Sequence, residues 1–169
     1  MKVPHFLFVK HSPDLSPERK VFLSEHLKER VPIKNIIWFE DYNHDHPFIA
    51  WVNTKLQLPY GLKLTSNTVR MLLTFKRIID EKIDCALLID DDVVFHKNWL
   101  EILESIPSEI ENNGFINLGT PHFFNVIPQK GNVYRLPNNG GCEGVWVSYD
   151  FAVKFMTNLL DKVIVVHHV

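Results

Sequence analysis

Apolar positions in this chain gather into short blocks of strand or helix length separated by polar turns. His5 to Val9 is an apolar run of strand length, and Lys10-His11-Ser12-Pro13-Asp14 after it is turn chemistry. Ser16-Pro17-Glu18 then predicts a helix start, with Ser16 as cap and Pro17 at the first helical position, and the helix runs to about Arg30. A second strand, Asn35 to Phe39, ends in Glu40-Asp41. Strand, helix and strand in that order predict a right-handed parallel crossover. Residues 41 to 64 read as irregular, with Asn43-His44-Asp45-His46-Pro47 and the aromatics Phe48, Trp51 and Tyr60. That is too long for a plain connection, and a loop of such length is often functional.

From Ser66 or Asn67 the period becomes helical, with Val69, Leu72, Leu73, Ile79 and Ile83 on one stripe and Arg70, Lys76, Arg77, Asp80 and Glu81 outside it. Cys85 opens the next strand, Ala86 to Ile89. Asn98 is expected to cap a short helix carrying Trp99, Leu100 and Leu103, and Phe115 to Leu118 and Val133 to Leu136 read as strands. Asn138-Asn139-Gly140-Gly141 is a turn, Val145 to Val147 a further strand, and Phe151, Ala152, Phe155, Met156, Leu159 and Leu160 the inner face of a helix. Val163 to Val166 reads as a last short strand ending in His167-His168. The alternation predicts an α/β fold, a mixed central sheet flanked by helices, in one domain over residues 1–169.

Composition narrows the function classes. The 169 residues are 46% hydrophobic and 22% charged, ordinary for a globular domain with a sizeable core. A net charge of −2 and the lack of any Lys/Arg cluster argue against nucleic acid as a partner. Phe6 to Val9 is too short for a signal peptide, and no run of about 18 apolar residues is present, so neither export nor a membrane span is expected and the default location is cytoplasmic. Cys85 and Cys142 have no zinc or redox spacing and read as free thiols.

The sharpest chemical signal is Asp90-Asp91-Asp92, closing the apolar run Ala86-Leu87-Leu88-Ile89. Acids at the end of a buried strand open into the cleft where α/β sheets bind ligands. Two like charges at 4 Å repel by about 1 kcal/mol in water and about 4 kcal/mol at an effective dielectric of 20, so a half-buried triplet favours protonation or a divalent ion. Oxygen-only ligation suits Mg²⁺ or Mn²⁺ rather than zinc. Strand alternation would point Asp90 and Asp92 one way and Asp91 another, making Asp-x-Asp the unit. The bland alternative is a solvated acidic loop.

This element order, with a strand ending in Asp-x-Asp, is that of the GT-A nucleotide-sugar glycosyltransferase fold. Phe75-Lys76-Arg77-Ile78-Ile79, Ile83-Asp84 and Ala86 through His96 resemble the central block of glycosyltransferase family 25, the lipopolysaccharide and collagen glycosyltransferases. That family usually carries glutamate at the position of Asp90. Pro13 to Leu27, with Arg19, resembles its opening strand, loop and helix, and Gly141 to Phe155 its Gly-rich turn, strand and helix. Ser66 and Arg70 fall where some relatives carry serine and a basic residue, whereas Met71 replaces a common histidine. Relatives continue well beyond Leu160, so the resemblance implies either a missing acceptor segment or a short member.

The resemblance implies a metal-dependent transfer of a hexose from a nucleoside diphosphate sugar, UDP-galactose or UDP-glucose, to a glycan or protein hydroxyl, with inversion. Asp92 would ligate the metal. Asp90 would contact ribose or sugar and share the metal, and Asp91 would orient the loop or the sugar. The base would lie near Val9, Lys10 and His11, with Ser66 and Arg70 on the donor side. Arg19 would stand by the phosphates or anchor its loop, a solvated helix residue being the alternative. His167, or its neighbour His168, is a candidate extra ligand, with a frayed terminus as the alternative. An inverting transfer needs a carboxylate base for the acceptor hydroxyl. Glu143, just after Gly140-Gly141, is the candidate, while Asp150 reads as a helix cap. Two other readings remain: a haloacid dehalogenase-like phosphohydrolase using Asp90 and Asp92, and a non-catalytic sugar-binding module.

Overall fold

The computed structural model describes residues 1–41, 45–55, 65–107, 114–119, 127–130, 133–135 and 144–166. In chain order the elements are β1 (Phe6–Lys10), α1 (Pro17–Arg30), β2 (Asn35–Phe39), α2 (Pro47–Lys55), α3 (Ser66–Asp80), β3 (Cys85–Asp90), α4 (Trp99–Ser105), β4 (Phe115–Gly119), β5 (Ile127–Lys130), β6 (Val133–Arg135), β7 (Gly144–Ser148) and α5 (Tyr149–Val166). Five strands form one open sheet in the order β2-β1-β3-β7-β4, and β5 and β6 form a separate antiparallel hairpin. β1 is parallel to β2 and to β3, whereas β7 is antiparallel to β3 and β4. This is the α/β architecture with a mixed sheet and flanking helices that the hydrophobic pattern predicts.

Alternation along the strands divides the core into two layers. Leu7, Val9, Leu87, Ile89 and Trp146 face one side and bury Leu23 and Leu27 of α1 and Trp99 and Leu103 of α4. Phe8, Ala86, Leu88, Val145 and Val147 face the other and bury Phe75 and Ile78 of α3 and Ala152 of α5. Full burial of such side chains contributes about 1.5–3 kcal/mol each. The two large indoles also satisfy their polar tips: Trp99 Nε1 donates to the Arg30 carbonyl at 2.8 Å and Trp146 Nε1 to that of Lys2 at 3.3 Å.

Local signals explain the helix ends. Thr65 caps α3 by accepting the Thr68 amide at 3.2 Å, and Ser66 is the first helical residue. At the far end Lys82 takes φ 53°, Lys82 N–H donates to Ile79 and Ile83 N–H to Ile78, and the last carbonyls are thereby satisfied as in a Schellman turn. Gly114 precedes β4 with φ +72° and its carbonyl accepts the Ser148 amide at 2.8 Å. A Cβ there would lie 2.7 Å from both Phe151 Cβ and Ser148 Oγ, so only glycine admits this approach of the chain to α5.

Several expectations are corrected. Residues 47–55 form α2 inside the segment read as irregular: Pro47 opens the helix and the His46 carbonyl accepts the amides of Ile49 and Ala50. Neither Ser16 nor Asn98 makes a side-chain capping bond, although each occupies the N-cap position. Asp150 lies within the first turn of α5, and Ser148 accepts the Phe151 amide at 3.2 Å in its place. Val163 to Val166 continue α5 instead of forming a strand, because helical propagation satisfies their backbone groups without a sheet partner. Arg70, expected outside the apolar stripe of α3, is 1% exposed. No helix among the described residues is long and apolar enough to cross a membrane.

Candidate functional site

Strand order places the crevice. β1 leads through α1 to β2 on one flank, and the chain returns through α3 on the opposite face to β3 on the other flank of β1. The carboxyl ends of the parallel neighbours β1 and β3 therefore flank a topological switch point, where connecting loops diverge and leave room for a ligand. Lys10 and Asp90 are partners in register at those two ends.

A network of charges fills the lip of this crevice. Lys10 Nζ lies 2.6 Å from Asp90 Oδ1, the lysine side chain 5% exposed and the aspartate 23%. His11 is 1% exposed, and its Nδ1 sits 2.7 Å from Asp91 Oδ2. A carboxylate only accepts, so this contact puts a proton on Nδ1. The same carboxylate accepts the Ser12 amide at 3.4 Å and Arg19 Nη1 at 3.1 Å, while that Nη1 also reaches Asp92 Oδ2 at 3.3 Å. From below, Arg70 donates through Nη1 to Ser12 Oγ at 2.8 Å and through Nε to the Asp41 carbonyl at 3.0 Å.

These surroundings tune the charges. Burial pushes the Asp90 carboxyl above its ordinary value, with Lys10 opposing that shift and the neighbouring Asp92 and Asp91 adding to it. Burial also pulls the Arg70 guanidinium down, against the nearby carboxylates Asp91, Asp90, Asp41 and Asp14. The hydrogen bond to Asp91 raises Arg19.

The triplet divides differently from strict alternation. β3 ends at Asp90 and the next two residues turn, so the period-2 rule stops where the acids begin. Asp91 is the buried member, 9% exposed, and fastens the loop after β1; Asp92 is 53% exposed at the surface of the crevice. Arg19 bridges the two from a side chain that is 44% exposed.

Of the expected site residues, the fold gathers Lys10, His11, Arg19, Arg70, Asp90, Asp91 and Asp92. Val9 is fully buried in the layer facing α1 and forms the floor beneath them. Ser66 is half-buried at the start of α3, one turn before Arg70. Glu143, His167 and His168 lie outside the described residues, as do Cys142, His44 and Tyr60. Cys85 is buried, Trp146 belongs to the core and Trp51 is 57% exposed on α2. Ser12 and Trp38 border the same network and are not among the residues the sequence singles out. Trp38 meets the His11 ring edge-on at 5.8 Å and lies 5.3 Å from Lys20 Nζ. Parallel pairing of β1 with β2 was the available signal, since it sets Trp38 opposite Val9.

Among the described residues no group of three His, Cys, Asp or Glu side chains is arranged to hold a metal ion. Mg²⁺-type sites commonly use one or two carboxylates and complete their shell with substrate phosphates and water. Asp90 and Asp92 are carboxylates of that kind at the crevice. No protein-family model matches this chain, and no characterised protein in the curated comparison matches it.

Proposed function

We propose that this chain is a metal-dependent glycosyltransferase of the GT-A type, moving a hexose from a nucleoside diphosphate sugar, with UDP as the nucleotide, to a hydroxyl of a glycan or protein. The observation that carries the reading is the Asp90-Asp91-Asp92 triplet at the carboxyl end of β3, beside the switch point and among Lys10, His11, Arg19 and Arg70. Resemblance of residues 75–96 to glycosyltransferase family 25 supports the same reaction.

Departure of a diphosphate concentrates negative charge on the leaving group. Bound Mn²⁺ or Mg²⁺ supplies Lewis-acid neutralisation of that charge. Asp92, with Asp90, would hold the ion. Arg19, its side chain 44% exposed, would turn from Asp92 toward a phosphate. Asp91 keeps the loop after β1 in place through His11 and the Ser12 amide, which forms the wall for the nucleoside. In this reading Glu143 takes the acceptor proton in an inverting transfer and His167 is a further ligand.

Calorimetric titration of UDP-galactose with Mn²⁺ tests the reading. Asp92→Asn keeps the side-chain shape and removes the charge, so Mn²⁺-dependent affinity should vanish while the melting temperature holds. Equal affinity in wild type and variant, or no binding of any UDP-sugar by the wild type, refutes the assignment.

A further inference from the structure

Arg70 is among the largest fully buried side chains of the protein, yet it belongs to α3, on the opposite face of the sheet from α1. Burying a guanidinium is expensive, and an apolar residue of similar volume commonly serves a core as well or better. What the apolar residue lacks is the planar fork of directed donors. Here the fork spans two loops: Nη1 holds Ser12 Oγ, just after β1, and Nε holds the Asp41 carbonyl, just after β2. Ser12 is in turn the joint of its loop. Its carbonyl accepts the Leu15 and Ser16 amides at 3.1 Å each, and its own amide donates to Asp91.

We propose that Arg70 is the positioning residue of the crevice, locking the turn of residues 11–16 to the end of β2 and thereby setting Ser12, His11 and Asp91 in place before a ligand arrives. It acts through Ser12 and does not touch the ligand. The functional half of this inference rests on the nucleoside diphosphate sugar reading; the locking of the turn does not, and is measurable without ligand. Pre-organisation of this kind lowers the ordering cost of binding.

Amide hydrogen exchange on the ligand-free protein reads the lock directly. In Arg70→Met, and in Ser12→Ala as a milder second variant, the amides of His11, Ser12 and Ser16 should exchange about tenfold faster or more, while those of Leu7, Val9, Leu87 and Ile89 keep their rates. The double variant should add little to Arg70→Met alone, because both changes break the same bond. Arg70→Lys should not restore protection, since one ammonium replaces a fork. For UDP and for UMP, each with Mn²⁺, Arg70→Met should weaken affinity by the same factor, because the turn rather than a phosphate has been lost. Unchanged exchange in the turn, or uniform acceleration through β1 and β3, overturns the lock. A loss that grows from UMP to UDP overturns it too, by making Arg70 a phosphate ligand. If the wild type binds neither nucleotide, the glycosyltransferase reading fails, and the exchange result alone decides the lock.

Discussion

Asp91 and Asp92 are chemically identical neighbours, and the structure predicts opposite consequences for removing them. Asp91→Ala deletes the acceptor of the buried His11 Nδ1 at 2.7 Å, of Arg19 at 3.1 Å and of the Ser12 amide at 3.4 Å. Hydrogen bonds to charged groups contribute about 1.5–3 kcal/mol each, and an orphaned buried donor costs about 1–3 kcal/mol. The Arg19 bond counts for less because that side chain is 44% exposed and screened by water. His11, 1% exposed, cannot turn to solvent for a replacement. Orphaning the His11 donor and losing the weaker bonds to Ser12 and Arg19 together should cost about 3–5 kcal/mol. Asp92→Ala, at a side chain 53% exposed, should cost less than about 0.5 kcal/mol. With a urea slope of about 2 kcal/mol/M, Asp91→Ala should move the unfolding midpoint down by about 1.5–2.5 M at unchanged slope. Equal midpoint shifts for the two variants, or a loss under about 1 kcal/mol for Asp91→Ala, would refute the assignment of Asp91 as the structural member of the triplet.

Three further outcomes follow from particular contacts. Burial raises the Asp90 carboxyl above its ordinary 3.8, so the stability it contributes is full below that value and is lost as pH rises through its higher folded value; urea midpoints of wild type minus Asp90→Asn should fall over that interval, and a rising difference would contradict the sign. Gly114→Ala combines a positive φ with contacts of 2.7 Å to Phe151 and Ser148, so chemical denaturation should register a loss of about 2–4 kcal/mol, whereas a neutral effect would mean that α5 yields easily. Glu143→Gln should retain UDP-sugar binding and lower turnover by about 10²- to 10⁴-fold in a radiolabelled transfer assay; normal turnover, or a product with retained anomeric configuration, rules Glu143 out as the base.

Periodicity was enough to determine the three-layer scheme, since Leu7, Val9, Leu87 and Ile89 alternate with Phe8, Ala86 and Leu88 and local alternation survives into the sheet. The Asp triplet was legible for the same reason: charge at the end of an apolar strand has few places to go. Non-local partners were not legible. Arg70 looked like a polar helix position because sequence spacing cannot show that Ser12 and the Asp41 carbonyl, 58 and 29 residues away, would converge beneath α3 to accept its fork. Val163 to Val166 carry strand-forming side chains, but they continue α5, where backbone bonds close within the segment. Alternation likewise could not rank the three aspartates, because β3 ends at Asp90 and the turn that follows carries Asp91 under the β1 loop. Which carboxylate holds the fold and which faces the crevice was decided by where β1 and α1 come to rest against β3, a relation between segments about 80 residues apart that only the tertiary structure contains.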